Sequence, residues 1–560
     1  MNASRASASS ANDPQSKLHD VAIIGLGPTG DVLASLLGAL GLSVLVIEKS
    51  HDVYPLPRAA HFDGETMRVF QTIGLMAQIL PTVRPGTQGM HFENAQGQTL
   101  LVRTASDKPG PHGFANNWYF HQPDLERILR AGLARHPNVT VLLGQEVTGI
   151  ETGDDSVRLT FAPSGPDEWD SPPGPAPIAA GGSAATAGGS DAAAGGSDAA
   201  AGAAPADAGP TDTGGRVPAT IRARYVVGCD GGRSGMRRAI GSTMDDLGLH
   251  QPWLCLDMIM EREVDLPVYT VQLCDPQRPM TVVNMAGRRR RWEIMLMPGD
   301  DPATVAEPDS VWRLLARWIK PGDARIERSA IYTFHSLIAQ GWRRGRLLLA
   351  GDAAHQTPPF LGQGMCAGVR DAANLAWKLA RVIRDGADDA LLDTYESERE
   401  PHVREFIALA VRVGDVIQTT DPSVAAERDR RFAESGPELF AFPLPVLGPG
   451  VHTSDGRHAG SIIGQPTLAD GRPMDAAIGY AFALIVAGDL APDARRALAD
   501  AGARLSDATV PVRLLDADTS GIGDTLRALG ARAVLIRPDR YIVGTADDAA
   551  GLTALLACID

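Results

Sequence analysis

The stretch from Val21 to Glu48 admits few folds. Four apolar residues, Val21 to Ile24, run into Gly25-Leu-Gly27-Pro-Thr-Gly30, then an Ala/Leu-rich helical stretch to about Leu40, then a second apolar run, Ser43 to Ile47, closed by Glu48. An apolar strand, G-x-G-x-x-G, a helix and another strand open a parallel α/β sheet. The glycines allow a tight turn, close approach of the backbone to a pyrophosphate, and contact between helix and strand; an acid roughly 20 residues on accepts from a ribose hydroxyl. Glu48 stands where that acid belongs. The unit predicts a dinucleotide site.

A second run, Arg346 to Ala380, has the same character. Four apolar residues end at Ala350 and meet Gly351-Asp352, whose carboxylate accepts hydrogen bonds from sugar-like hydroxyls. Pro358-Pro359 stiffens the next turn. Gly362-Gln363-Gly364 then lets backbone N–H groups approach a ligand before a helix expected near Gly368 to Ala380. A third run, Tyr225 to Arg237, is another strand ending in Asp230-Gly-Gly, with Ser234 and Arg237 on the following turn. With Glu48 and Asp352, Asp230 makes three strand ends at which an acid is expected to point outward.

Composition narrows the partners. A chain of 560 residues with a formal charge of −15 has material for several domains and lacks the basic face that nucleic acid requires. Between Ser164 and Gly215 lie seven acids and no Lys or Arg, with GGSDAAA repeated in tandem from Gly188. Such Ala/Gly/Ser/Pro content cannot offset its ordering entropy, so residues 163–216 read as a disordered insertion between two strands. The five cysteines show no C-x-x-C spacing, which argues against a zinc site or a disulfide framework and for a reducing compartment. Residues 1–19 read as a polar tail without an apolar leader core, and no 18-residue apolar run occurs. The expectation is a cytoplasmic protein with no membrane span and no metal.

The three runs, in this order, resemble the single-component FAD-dependent aromatic hydroxylases with the para-hydroxybenzoate hydroxylase fold. Within them the likeness is strongest to the 3-(3-hydroxyphenyl)propionate/3-hydroxycinnamate hydroxylases and their phenol hydroxylase relatives. It covers about Asp20 to Arg404, and the C-terminal third follows the phenol hydroxylase pattern more loosely. The resemblance implies an α/β fold: a Rossmann-like FAD-binding domain (20–250 and 335–400), an inserted β-sheet substrate domain (251–334), a helical connection (401–449) and a thioredoxin-like C-terminal domain (450–560). That last unit has no C-x-x-C and suits a structural or dimer-supporting role.

By motif position the resemblance implies that Gly25, Gly27 and Gly30 face the FAD pyrophosphate, Glu48 the adenosine ribose and Arg58 the phosphates, with the adjoining Lys49 also at the cofactor. Gln122 falls at the family's flavin-side glutamine. Gly351 and Asp352 fall at the ribityl chain, and Pro359, Gly362, Gln363, Gly364 and Met365 at the flavin edge, where a helix N-terminus favours negative charge. Asp230 and Arg237 resemble a motif serving both FAD and the nicotinamide donor. Only one complete G-x-G-x-x-G is present, so NADH or NADPH is expected as a transient donor over the same domain. Substrates are then O2 and a phenolic acid, the best match being 3-(3-hydroxyphenyl)propionate or 3-hydroxycinnamate. Other phenols, of resorcinol or polyketide type, and a non-catalytic flavoprotein module remain alternatives.

Asp63 aligns with an active-site aspartate of phenol hydroxylases, where a carboxylate would draw the phenol proton. The competing reading is an N-cap for a helix from about Gly64 to Ile73. His61 and His121 read as packing or surface residues, His355 as structural and Cys366 as a small buried thiol. The cluster Arg288 to Arg291 reads as a solvated hairpin end in preference to a binding clamp.

Overall fold

A computed structural model describes residues 17–167, 219–440, 442, 444–453, 456, 458–505 and 507–559. Most of the expected tail and of the expected disordered insertion lies outside the described residues. The ends of both that are described belong to the fold: the first strand begins at Leu18, and Asp167 accepts from the His51 amide at 3.0 Å.

The apolar runs build one sheet. Leu18–Ile24 lies between Ala219–Gly228 and Val44–Ile47, parallel to both; Val139–Leu142 and Leu347–Leu349 extend it in parallel on the two sides. Val21, Ala22, Ile23, Val44, Val46, Val226 and Val227 are fully buried, as strands covered on both faces require. The register pairs Ile24 with Ile47 and Gly228, and Gly228 with Leu349. The C-terminal ends of four strands therefore align, and Gly25, Glu48, Asp230 and Asp352 leave from one edge of the sheet. Ligands bind at that edge in open α/β sheets. Helices Pro28–Ala39 and Gly364–Arg384 pack together over this sheet.

A nine-stranded sheet stands above the edge. Its centre is the long antiparallel pair Thr243–Met260 and Ala324–Gln340, followed by Arg289–Met295, Met280–Asn284 and Thr270–Cys274. It reaches beyond the span 251–334, because Met90–Asn94, Thr99–Arg103 and Glu438–Phe440 at one side and His355–Gln356 at the other complete it. Such pairings across hundreds of residues leave no local signature. Arg289–Met295 also departs from expectation. Arg291 is 2 % exposed and ion-paired with Asp257 at 2.8 Å, and Arg289 pairs with Glu327 at 3.0 Å. The run does sit at a hairpin end, with Arg288 exposed in the turn, but from Arg289 it enters an interior strand, where Arg289 and Arg291 meet carboxylates instead of solvent.

The C-terminal segment forms a four-stranded mixed sheet, Val512–Asp516, Phe482–Val486, Ala533–Ile536 and Ile542–Ala546 in spatial order. Its inner face shares a core with the first sheet, Phe482 meeting Trp377 edge-on at 5.2 Å. Buried ion pairs clasp the two. Arg68, on helix Gly64–Thr72, donates to Asp475 at 2.5 Å and to the Ile463 carbonyl, while Glu398 accepts from both Lys378 and Arg537. No helix among the described residues is long and apolar enough to cross a membrane.

Candidate active site

The two halves of the site meet where the strand ends align. Gly25 has φ +99°, and a Cβ there would lie 2.4 Å from the Cys229 carbonyl oxygen; a Cβ on Gly30 would lie 2.2 Å from the Gly25 oxygen. Both are glycine because backbone passes against backbone. Gly27, the N-cap of helix Pro28–Ala39, has nothing within 4 Å of the Cβ position and opens on a cavity. Glu48 braces the turn: one carboxylate oxygen accepts from the Leu26 amide at 2.6 Å and the other from the Ser50 amide at 2.8 Å. The Lys49 carbonyl accepts from the Ser164 hydroxyl.

On the other side, Gly351 (φ +63°) would place a Cβ 2.6 Å from the Thr29 hydroxyl. Asp352 stands exposed on the cavity wall. Pro359–Leu361 form a tight turn, Gly362 has φ +65° against the His61 ring, and the long helix begins at Gly364, four residues before the expected start at Gly368. The earlier start puts Gly364 and Met365 in its first turn, with their backbone N–H groups unclaimed by the helix. Gln363 is fully buried, its carbonyl oxygen accepting from Arg370 at 3.1 Å.

One cavity of about 380 Å³ joins these parts to the face of the large sheet. Of the residues expected at a cofactor site, Gly27, Arg58, Gln122, Asp352, Pro359, Gly362, Gly364 and Met365 line it; Gly25, Gly30, Glu48, Lys49, Asp230, Arg237, Gly351 and Gln363 do not. Several of the latter shape it from behind. Asp230 accepts from the Ser234 hydroxyl at 2.6 Å and the Met236 amide at 3.0 Å, and Arg237 ties the Gly232 and Ala353 carbonyls. Of the three strand-end acids, only Asp352 is directed into the open cavity. Gln122 works on the facing loop, its oxygen accepting from the amides of Arg58 at 2.9 Å and Ala59 at 2.5 Å.

Asp63 caps helix Gly64–Thr72. One carboxylate oxygen accepts from the Thr66 amide and hydroxyl, each at 2.9 Å, and the other pairs with Arg370. Both oxygens are engaged, and the residue is not on the cavity wall. Burial would raise its pKa, but Arg370 and the Thr66 donors outweigh it and hold the carboxyl well below the ordinary range. His61, two residues earlier, does line the cavity. Burial, and then the Arg103 charge, push its pKa down to about 3.

The sheet-side wall was not found from sequence. It includes Arg103, Asn117, Tyr119, Thr270, Gln272 and Glu293. Tyr119 hydrogen-bonds Thr270 at 2.5 Å, and burial raises the Glu293 pKa against the pull of Arg291. The apolar run Leu100 to Val102 closed by Arg103 was the available signal, since a charged residue closing an apolar strand points either to solvent or into a site.

The FAD binding domain family matches residues 19–168 and 204–410, and the chain belongs to it. Its full-length relatives place it among the flavin-dependent aromatic hydroxylases. The chain is 35% identical over 559 residues to a probable NADH-specific resorcinol 4-hydroxylase of Rhodococcus jostii, covering 96% of this chain and 94% of the relative. A 3-(3-hydroxy-phenyl)propionate/3-hydroxycinnamic acid hydroxylase of Mycobacterium avium is 35% identical over 464 residues, 80% of this chain and 72% of the relative. Among solved structures, aklavinone-11 hydroxylase with FAD and aklavinone has the same fold, with a TM-score of 0.73 at 22% identity over 97% of this chain and 98% of that one.

Proposed function

We propose that the protein is an NADH-dependent hydroxylase that adds one oxygen atom ortho to an existing hydroxyl of a phenolic acid, 3-(3-hydroxyphenyl)propionate or 3-hydroxycinnamate, to give the 2,3-dihydroxy product. The balance is one NADH, one proton, one O2 and the phenol to NAD⁺, water and the catechol. The observation that carries the reading is the single cavity running from the Gly27 helix end past Asp352 to Gly364 and on to the large sheet.

These residues fit FAD. The open Gly27 position leaves room for a pyrophosphate at a helix N-terminus, Asp352 offers an acceptor for ribityl hydroxyls, and the Gly364–Met365 turn offers N–H donors to the flavin edge. FAD, when bound, supplies the electron transfer and the activation of oxygen. The chain's own part is to hold the phenol against that edge and to keep water out. Tyr119, Thr270, Gln272 and His61 supply polar contacts for the ring hydroxyl; His61 is neutral and has an unpartnered Nε2. Asp63 acts at one remove, by fixing Arg370 and the helix start beside Gly362.

A second reading, hydroxylation of resorcinol, is favoured by the Rhodococcus relative, which matches over nearly the whole chain. The test is NADH oxidation coupled to oxygen uptake by the FAD-loaded protein across phenolic acids and dihydric phenols, with product identification. Stimulation by neither class would overturn both readings.

A further inference from the structure

Four arginines line the cavity; Arg58 is exposed, and of the three buried ones Arg103 alone makes no ion pair among the described residues. Arg103 closes strand Thr99–Arg103, is 5 % exposed, and lines the cavity. Its guanidinium donates to the Asn117 side chain at 2.7 Å and lies 4.3 Å from the centre of the Phe442 ring. Its Nε is buried without a partner, and among the described residues it makes no ion pair. The other two buried arginines of the wall differ: Arg291 and Arg328 both pair with Asp257, and Glu293 lies 3.6 Å from Arg291. Burial lowers the Arg103 pKa even though the Asp63 charge acts on it from beyond ion-pair distance, and a buried cation in contact with only a neutral amide and an aromatic ring is relieved when an anion arrives. His61 beside it stays neutral and adds no competing charge.

We propose that Arg103 is a specificity-determining residue that receives the carboxylate of the substrate, so that the pocket selects phenols carrying an acidic side chain over neutral phenols of the same size. This rests on the hydroxylase reading and decides between its two substrate classes. Arg is suited to the task because its planar fork meets a carboxylate through two parallel N–H donors.

The test uses the FAD-loaded full chain and its Arg103→Gln and Arg103→Lys variants. Each is assayed with 3-(3-hydroxyphenyl)propionate and with the neutral 3-(3-hydroxyphenyl)propanol. Binding of unreactive 3-phenylpropionate is followed by flavin fluorescence, and FAD affinity is titrated separately. The wild type should prefer the acid, and Arg103→Gln should lower the acid-over-alcohol ratio of kcat/KM on the order of 100-fold, mainly through KM. Arg103→Lys should recover part of that ratio, and FAD affinity should hold in both. A wild type indifferent to the carboxylate, equal losses on both substrates, or a loss confined to FAD affinity would each overturn the assignment. If no phenol stimulates NADH oxidation, the hydroxylase reading fails instead, and 3-phenylpropionate binding by wild type and Arg103→Gln still decides whether Arg103 holds a carboxylate.

Discussion

Arg291 donates to the Arg58 carbonyl at 2.6 Å, reaching from the large sheet across the cavity rim to the loop of the cofactor half. It also donates to the Pro57 carbonyl, which Arg328 reaches as well, and pairs with Asp257, so two side chains of the large sheet hold this loop. Arg291→Met removes the cation and leaves the Asp257 carboxylate buried beside Arg328 alone. Stability should fall by about 3–5 kcal/mol, as when one partner of a buried pair is removed, read by urea unfolding of the apoprotein. FAD affinity should fall with it, because the Arg58 loop keeps only its contacts to Gln122 and Arg328.

Gly27 and Gly30 should respond differently to the same methyl group. Gly30→Ala drives a Cβ into the Gly25 carbonyl and should destabilise the apoprotein and abolish flavin retention. Gly27→Ala meets no protein atom. Its apoprotein should melt like wild type while the purified protein loses its yellow chromophore. If Gly27→Ala retained FAD at wild-type affinity, the pyrophosphate does not pass over that turn.

At Asp63 two substitutions separate helix capping from proton transfer. Asn retains an N-cap acceptor and Ala does not. If the carboxylate serves the helix and Arg370, Asp63→Ala should lose about 1–2 kcal/mol more stability than Asp63→Asn, and the pH dependence of kcat should be the same in Asn variant and wild type. Loss of the acidic limb in the Asn variant alone would return Asp63 to the role of phenol base.

Acid should undo the clasp between the C-terminal unit and the cofactor half. Burial alone would raise the Asp475 pKa, but Arg540 and Arg68 outweigh it and hold it at about 2, below the ordinary 3.8. A depressed folded-state pKa means stabilisation that is complete above the unfolded value and is lost as pH falls through the folded one. His61 adds in the same direction over a higher window: its folded pKa of about 3 lies below 6.5, so protons favour the unfolded chain as pH drops between those values. The denaturation midpoint should therefore decline from about pH 6.5 downward and more steeply below about 4. A flat profile to pH 3 would contradict both assignments.

The cofactor half was legible because its determinants are consecutive. Strand, glycines, helix and Glu48 follow one another from Val21, and the Gly351-Asp352 and Gly362-Gln363-Gly364 turns sit in one run. Even there, the role of Glu48 as a brace for the turn depends on which amides its oxygens meet, and sequence spacing is silent on that. The substrate wall was not legible. Arg103, Thr270 and Glu293 come from three strands of the large sheet, joined through the pairing of Met90–Asn94 with Thr270–Cys274, and Tyr119 comes from a strand outside that sheet, Trp118–Tyr119. Arg291 misled for a related reason: four arginines after a turn suggest solvent until Asp257 and Glu327 are seen across the ladder.

The 407 residues between Arg68 and Asp475 set an order of events during synthesis. The helix that carries Arg68 leaves the ribosome early, with an arginine destined for the interior and no carboxylate yet made to meet it. Until the last fifth of the chain emerges, that helix has reason to stay hydrated, and the cofactor half cannot close its outer surface.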